Sequence, residues 1–554
     1  MPKATLFSPA NASVTWDEAE QLSRLTGLRP EVLATFKPHR LALHRCLIRV
    51  TAQLHVPDGP RYADLGLNLR AMASTIFERG VSPKLPEIEA AFTGLRKDAA
   101  VIVEDALQSL FRAEEKAIEK QGIIARLFGQ KAAPPKPFDA DATVTKRLAK
   151  LEADAAETDS LHAACLKSVV RVCNGVLSQR GGLRPADIPW VSTVAVNLVS
   201  NSKGDACVAA LVDPLLDETV KRQGYNPLPP QSHPVVLNAK GASASGKSTI
   251  RGAQRQIADR LGLEWSSFAI ISPDYWRKSL IDYNGLGDDF KYAAMLTGQE
   301  LEIIDRKLDA FMADLGAKAA IPNLLIDRFR FDSFHLAEKR ASDSRLLTRF
   351  GAKIYMFFLI TPPEATVERA WLRGLETGRY KAVDDLLYHN IEAYSGMPDL
   401  FFSWANAKDR WVHYEFLDNS IPQGSPLRTV AAGRNGHLVV TDIDRFCDIE
   451  RFRHVNVDAK SPGEVLEKSL GTKDAMAIAR RACRELNGVD FLVPGTEIVF
   501  ARSRDGAITV DVDNLPDHIP LDAFGKDAET GARLRAIDPE HLGEIIGTLE
   551  SKPV

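Results

Sequence analysis

The residues most able to do chemistry form one short stretch, Gly241-Ala242-Ser243-Ala244-Ser245-Gly246-Lys247-Ser248. The spacing Gly-x4-Gly-Lys-Ser is the Walker A pattern. Each part has a physical task. Small residues let successive backbone amides curl around a phosphate, and a following helix adds unpaired amides and a positive dipole end. Lys247 reaches β- and γ-phosphate oxygens, the Ser248 hydroxyl is placed to ligate Mg²⁺, and Thr249 continues the nucleotide-contacting run. The surroundings agree: an apolar run, Val235–Leu237, precedes the loop and a helical pattern, Ile250 to Leu261, follows it. The bland alternative is a Gly/Ser-rich strand-to-helix turn with an incidental lysine.

Three further sites are candidates for handling the transferred group. After the apolar run Phe268–Ile271 comes Ser272-Pro273-Asp274-Tyr275-Trp276-Arg277. In an open parallel sheet the crevice lies at the carboxyl ends of the strands. Asp274 there is suited to take the proton of a hydroxyl attacking the γ-phosphate. Arg277, one helical turn on, is placed either to anchor an acceptor or to hold Asp274, and the plain alternative for Asp274 is a helix cap. Asp327, after the run Leu324–Ile326, is suited to Mg²⁺ or the acceptor, with a buried Asp327–Arg328 or Asp332–Arg330 pair as the competing reading. A helix opened by Pro362-Pro363-Glu364 carries Arg369 and Arg373 and leads to Gly374 through Gly378, Arg379 and Tyr380. Arginines on such a Gly-hinged stretch can close over a triphosphate, or simply complement a helix end.

Taken together, the phosphate loop, the Asp274-x-x-Arg277 pair, the lid-like Arg373–Tyr380 stretch and Asp418-Asn419-Ser420 at a strand end resemble the zeta-toxin family of P-loop kinases, over about residues 232–435. The resemblance implies ATP and Mg²⁺ as cofactors and phosphorylation of a sugar hydroxyl on UDP-N-acetylglucosamine. It implies Lys247 as the phosphate-binding lysine, Asp274 as general base and Arg373 as a lid arginine; Arg379, on the same Gly-hinged stretch, is read from its position as a further nucleotide contact. This chain has Thr377-Gly378-Arg379 where many relatives carry Gly-Gly-His, and Ile326-Asp327-Arg328 where a Glu-Thr is frequent. The acceptor therefore stays open between a nucleotide sugar and another hydroxyl compound. A reading from a different class, a non-catalytic nucleotide-gated interaction protein, predicts that Asp274→Asn is silent.

The elements that must position these residues follow from periodicity. Short apolar runs at Val235–Leu237, Phe268–Ile271, Leu324–Ile326, Ile354–Ile360 and Val412–Leu417 alternate with longer helical segments, the signature of an α/β domain with a parallel sheet. Before it the chain reads as helical. Thr15-Trp16-Asp17-Glu18 is a capping box, and Leu161, Cys165, Val169, Val172 and Val176 line one helix face, closed by Gly181-Gly182. The Pro-rich stretch 130–137 reads as a linker. The expected organisation is a helical region 1–130, a second helical region 138–225, a kinase-sized domain 232–435 and a small α+β region 436–554. The last holds a helix near 472–486 and a hairpin, Glu497–Ala501 with Ala507–Val512, turning at Asp505-Gly506. Asp511 and Asp513 read as a turn, not a calcium loop. The helical part is placed to select the acceptor, bind a partner or restrain the kinase as a fused antitoxin would.

Composition excludes several classes. In 554 residues, 45% are hydrophobic and 26% charged, as in an ordinary globular protein of several domains. A net charge of −3 points away from a nucleic-acid or anionic-membrane partner. The six cysteines form no CxxC pair. No basic-then-apolar leader opens the chain and the longest apolar run is too short for a bilayer, so a cytoplasmic protein is expected.

Overall fold

The computed structural model describes residues 2–61, 63–111, 140–156, 160–328, 347–377, 380–422, 425–466, 475–525 and 528–531, with Leu534, Ile537, Leu542, Gly543 and 545–549. The chain divides into two compact units. One comprises residues 1–47, 71–224 and 296–300; the other comprises 48–70, 225–295 and 301–554.

The first unit is helical. Thr15 caps the helix Trp16–Thr26, accepting from the Glu18 amide while the Glu18 carboxylate accepts from the Thr15 amide at 2.8 Å. This capping box is the one expected from Thr15-x-x-Glu18. In the helix Leu161–Arg180, Cys165, Val169, Val172 and Val176 are buried and Gly181, with φ 72°, ends it. Burial pushes the Cys165 and Cys173 thiols up to about 11 and about 12, as for cysteines serving as small apolar residues. The helix Leu85–Phe111 is the longest described helix of this unit, and the expected 130–137 linker lies outside the described residues. A buried cluster joins Arg40 and His44 to Glu300: Arg40 Nε and Nη2 donate to its two carboxylate oxygens at 2.6 and 2.7 Å, and His44 Nε2 lies 2.7 Å away.

The second unit is built on one mixed sheet. Its strands are β1 (Val235–Lys240), β2 (Phe268–Ile271), β3 (Asn323–Ile326), β4 (Lys353–Ile360), β5 (Trp411–Asp418), β6 (Arg428–Arg434), β7 (His437–Val440), β8 (Gly488–Leu492), β9 (Val499–Arg504), β10 (Ala507–Val510) and β11 (Ala528–Thr530). Their spatial order is β11-β10-β9-β8-β7-β6-β5-β4-β1-β3-β2. β2, β3, β1, β4 and β5 are the five apolar runs expected from the sequence, and their pairings with one another are all parallel. They are buried along almost their whole length, as strands covered on both faces must be. Phe358 and Phe416 stack across β4 and β5 at 4.7 Å.

The sheet does not stop at residue 435, where the sequence reading ended the kinase-sized domain. Asn435-Gly436, with φ 42° and 86°, turns β6 into its antiparallel neighbour β7, which is two-residue hairpin chemistry. β7 then pairs with β8 in parallel, and the Asp505-Gly506 turn joins β9 and β10 as expected. The expected helix near 472–486 is present as Ala477–Glu485. The residues after 435 thus extend the same sheet. Residues 48–70 also belong to this unit: Leu54 bridges Pro227, and the Trp276 indole donates to Thr51 Oγ1 at 2.9 Å. No described helix is long and apolar enough to cross a membrane.

Candidate active site

Between the end of β1 and the helix Arg251–Arg260 the chain makes a tight loop, followed by a 3-10 turn, Lys247–Ile250. Two residues bend it through the left-handed region, Ala244 at φ 61° and Gly246 at φ 89°. For an alanine this conformation costs about 1–2 kcal/mol. Lys247 folds its ammonium back over the loop, donating to the Gly241 and Ala242 carbonyls at 3.1 and 2.9 Å. Thr249 Oγ1 donates to the Gly246 carbonyl at 2.6 Å. The Ser245 carbonyl accepts from Thr361 Oγ1 at 3.1 Å and from Asn419 Nδ2 at 2.7 Å, so residues just past β4 and β5 fasten the loop. Gly246 is required by space as well as by φ, since a Cβ there would fall 2.3 Å from Asn419 Nδ2. Ser245 Oγ is buried with no partner among the described residues, and Ser243 is half-buried. The side chain of Ser248, the expected Mg²⁺ ligand, and all of Arg379 lie outside the described residues.

Asp274 stands in the 3-10 turn Pro273–Trp276 that follows β2. It caps no helix. Its Oδ1 accepts from Arg277 Nε at 2.8 Å, while Arg277 Nη1 donates to the Ala294 carbonyl at 2.5 Å. Of the two roles open to Arg277, the structure shows the one of holding Asp274. The Asp274 side chain is half-exposed while Arg277 is mostly covered. The buried Trp276 beside them anchors the turn.

Asp327 follows β3, half-buried, with its amide bonded to the Ile271 carbonyl at 2.9 Å. The alternative Asp327–Arg328 pair does not form. Arg328 turns away and is buried against Asp305 and Asp309, at 2.9 Å to the first (Nε–Oδ1) and 2.8 Å to the second. Burial pushes the Asp309 carboxyl up to about 6 despite Arg328. Lys240, fully buried at the end of β1, donates to the Arg328 carbonyl at 2.9 Å. Asp332 and Arg330 lie outside the described residues.

Three side chains that the sequence reading passed over gather near Asp274. Lys381 contacts His389 Nδ1 and lies 3.3 Å from Asp385, and His389 Nε2 lies 3.5 Å from the same carboxylate. Burial pulls Lys381 down to about 8, opposed by Asp385 and Asp274. Burial, then the charges of Lys381 and Lys247, pull His389 down to about 4, opposed by Asp385 and Asp274. Lys247, Asp274, Lys381 and His389 therefore share one electrostatic neighbourhood. Part of the signal was present: Asp385 and His389 are spaced i, i+4 on the helix Val383–Ala405, which puts them on one face, and Lys381 lies just ahead of its first turn.

Arg369 and Arg373, on the helix Pro363–Thr377, reach a different wall. Arg369 Nη2 donates to the Asn419 carbonyl at 2.7 Å. Both arginines line a cavity of about 1590 Å³ together with Ala244, Gly246, Thr249 and Asn419. The expected lid arginine and the phosphate-loop residues are thus brought together around one cavity. Asp274 and Arg277 join Lys381 and His389 in the neighbouring charged cluster. Comparison with protein-family models and with curated protein sequences finds no match for this chain.

Proposed function

We propose that the chain is an ATP-dependent phosphotransferase of the P-loop kinase type that phosphorylates a hydroxyl of a small molecule, in line with its resemblance to the zeta-toxin family. The observation that carries this reading is the Lys247 ammonium held over the Gly241 and Ala242 carbonyls, in a loop at the end of a buried parallel strand, with Asp274 in the same charged cluster. In this reading the amides of residues 241–249 bind the β-phosphate and Lys247 spreads charge from the β- and γ-oxygens. Asp274, oriented by Arg277, takes the proton of the acceptor hydroxyl as its oxygen attacks the γ-phosphorus. The bond from that phosphorus to the β–γ bridging oxygen breaks and ADP leaves. Arg373 stabilises charge from the cavity side. Bound Mg²⁺ would neutralise phosphate charge, and Asp327 suits it: the carboxylate is half-exposed and its neighbouring arginine is engaged elsewhere.

The test is transfer from γ-labelled ATP to a panel of hydroxyl compounds that includes UDP-N-acetylglucosamine. Asp274→Asn is expected to lower transfer about 10²–10⁴-fold, the usual worth of a general base, with ATP affinity within threefold of wild type. Lys247→Ala is expected to lose both. A silent Asp274→Asn, with ATP bound but no acceptor labelled, points instead to a non-catalytic nucleotide-gated interaction protein.

A further inference from the structure

Gly374 stands inside the helix Pro363–Thr377, where glycine is a poor helix former. Space explains its presence. A Cβ at Gly374 would fall 2.4 Å from Tyr380 Cδ1 and 2.6 Å from its Cε1, so the Tyr380 ring is seated on the bare backbone of this helix. Trp371, one turn back, flanks the same ring at 5.5 Å between centroids, and Phe290 meets it edge-on at 6.4 Å. Both distances lie in the range of favourable aromatic pairs.

Phe290 joins this ring to the support of Asp274. It lies in the segment Asn284–Tyr292, which runs on into Ala294. The Ala294 carbonyl holds Arg277, and Arg277 holds Asp274. Along the chain, Tyr380 is followed at once by Lys381, in a non-helical stretch that ends where the helix Val383–Ala405 begins. The Lys381 backbone is therefore pinned from both sides, by the Tyr380 ring on Gly374 and by the first turn of that helix. The groups around its ammonium are Asp385, at 3.3 Å, and His389 from the helix, with Asp274 and Arg277 from the turn after β2.

We infer that Tyr380 is a positioning residue for the proposed transfer: seated on Gly374, its ring holds Lys381 beside Asp274, where the ammonium offsets negative charge on the transferred phosphoryl group. A lysine is a point charge on a flexible stem, so its place must be set by its backbone and by the groups around it. A charge fixed in advance is worth more to the reaction than one that must be brought up. The contacts that seat Tyr380 are made by its ring, so phenylalanine serves equally well there. The inference rests on the proposed function for the reaction that is served; the placing of Lys381 does not.

The placing is read without any acceptor. Competitive acetylation of the full-length protein across the lysine titration range, with the Lys381 peptide followed by mass spectrometry, gives the pH at which its amine loses the proton. Tyr380→Ala and Gly374→Ala are expected to move that point up from about 8 toward the ordinary value of 10.5, and Tyr380→Phe to leave it in place. Gly374→Ala displaces the ring while favouring the helix, so it gives the answer where Tyr380→Ala fails to fold. In the γ-labelled ATP assay at neutral pH, where Lys381 is mostly charged in every variant, kcat is expected to fall at least tenfold in Tyr380→Ala and Gly374→Ala. Tyr380→Phe is expected to stay within twofold of wild type, and affinity for the non-hydrolysable ATP analogue AMP-PNP to stay within twofold throughout. A fall in kcat with the Lys381 titration unmoved is a merely structural effect and overturns the inference. So does a moved titration with kcat unchanged. If wild type labels no acceptor at all, the proposed function fails and the role in transfer with it, while a moved titration still upholds Tyr380 as the residue that places Lys381.

Discussion

Lys381 is a cation kept under strain of solvation. Its burial lowers the pKa to about 8, so the folded state binds its proton less tightly than the unfolded chain. The sign follows from linkage: between about pH 8 and the ordinary lysine value the unfolded state holds more protons, and stability rises with pH across that window. At neutral pH the charged lysine therefore costs stability, a pattern that marks functional sites. The groups around it are Asp385, His389, Asp274 and Arg277. If its charge assists transfer, kcat/KM falls as pH rises through about 8, and Lys381→Arg, which keeps its proton, flattens that limb. A pH–rate profile in which Lys381→Arg keeps the same limb removes Lys381 from the reaction. At Gly246 the argument is steric. Gly246→Ala places a Cβ against Asn419 Nδ2 at a φ that disfavours it, breaking the Asn419 bond to Ser245. AMP-PNP titration is expected to show at least tenfold weaker binding, and unchanged affinity refutes the fastening role given to Asn419.

At the scale of elements, a short segment near the carboxyl end is bound into the sheet. Ile546 and Gly547 amides donate to Glu415, fully buried on β5, at 2.9 and 3.0 Å. Thr548 exchanges backbone bonds with Leu427 and Thr429, each at 2.9 Å. Gly547 has no room for a side chain, because a Cβ would meet Thr429 Oγ1 at 2.4 Å and its backbone nitrogen at 2.8 Å. Gly547→Val is expected to lift the segment, costing about 1–3 kcal/mol for overpacking, with a further cost because the buried Glu415 loses its two amide donors and keeps only the Thr429 hydroxyl. Urea unfolding reads this directly, and a variant as stable as wild type contradicts the assignment. Because Ile546 lines the cavity, nucleotide affinity is expected to fall with it.

At the scale of the whole molecule, each unit has its own test. In the helical unit, burial alone would raise the Glu300 pKa. Hydrogen bonds and charge from His44 and Arg40 outweigh it and hold the carboxyl at about 2. A depressed acid contributes stability that is present above its unfolded value and lost as pH falls toward the folded one. Glu300→Gln is expected to cost about 3–5 kcal/mol at pH 7, as for a broken buried ion pair, with the gap to wild type narrowing from about pH 4.5 toward pH 2. A gap that stays constant with pH shows that the ion pair is not its source. In the sheet unit, a fragment of residues 232–435 lacks residues 48–70 and β7, leaving β6 as an unpaired edge and Trp276 without Thr51. It is expected to aggregate or to lose near-UV circular dichroism, since exposed edges recruit other chains. A monomeric fragment with native near-UV signal overturns that division of the unit.

What the amino-acid sequence determined by itself was local. The five parallel strands, the loop at 241–248, the Thr15 capping box and the Asp505-Gly506 hairpin were legible because side-chain periodicity and turn chemistry act over a few residues. So was the placement of Asp274 just past β2. The tertiary structure decided everything that joins residues far apart along the chain. It carried the sheet past Asn435-Gly436, drew residues 48–70 into the sheet unit, turned Arg328 to Asp305 and Asp309 and set Lys381 and His389 in the field of Lys247 and Asp274. Spacing along an element says which side chains share a face. Which other face they meet depends on how the elements pack, and there burial sets both the partner of a charge and its strength.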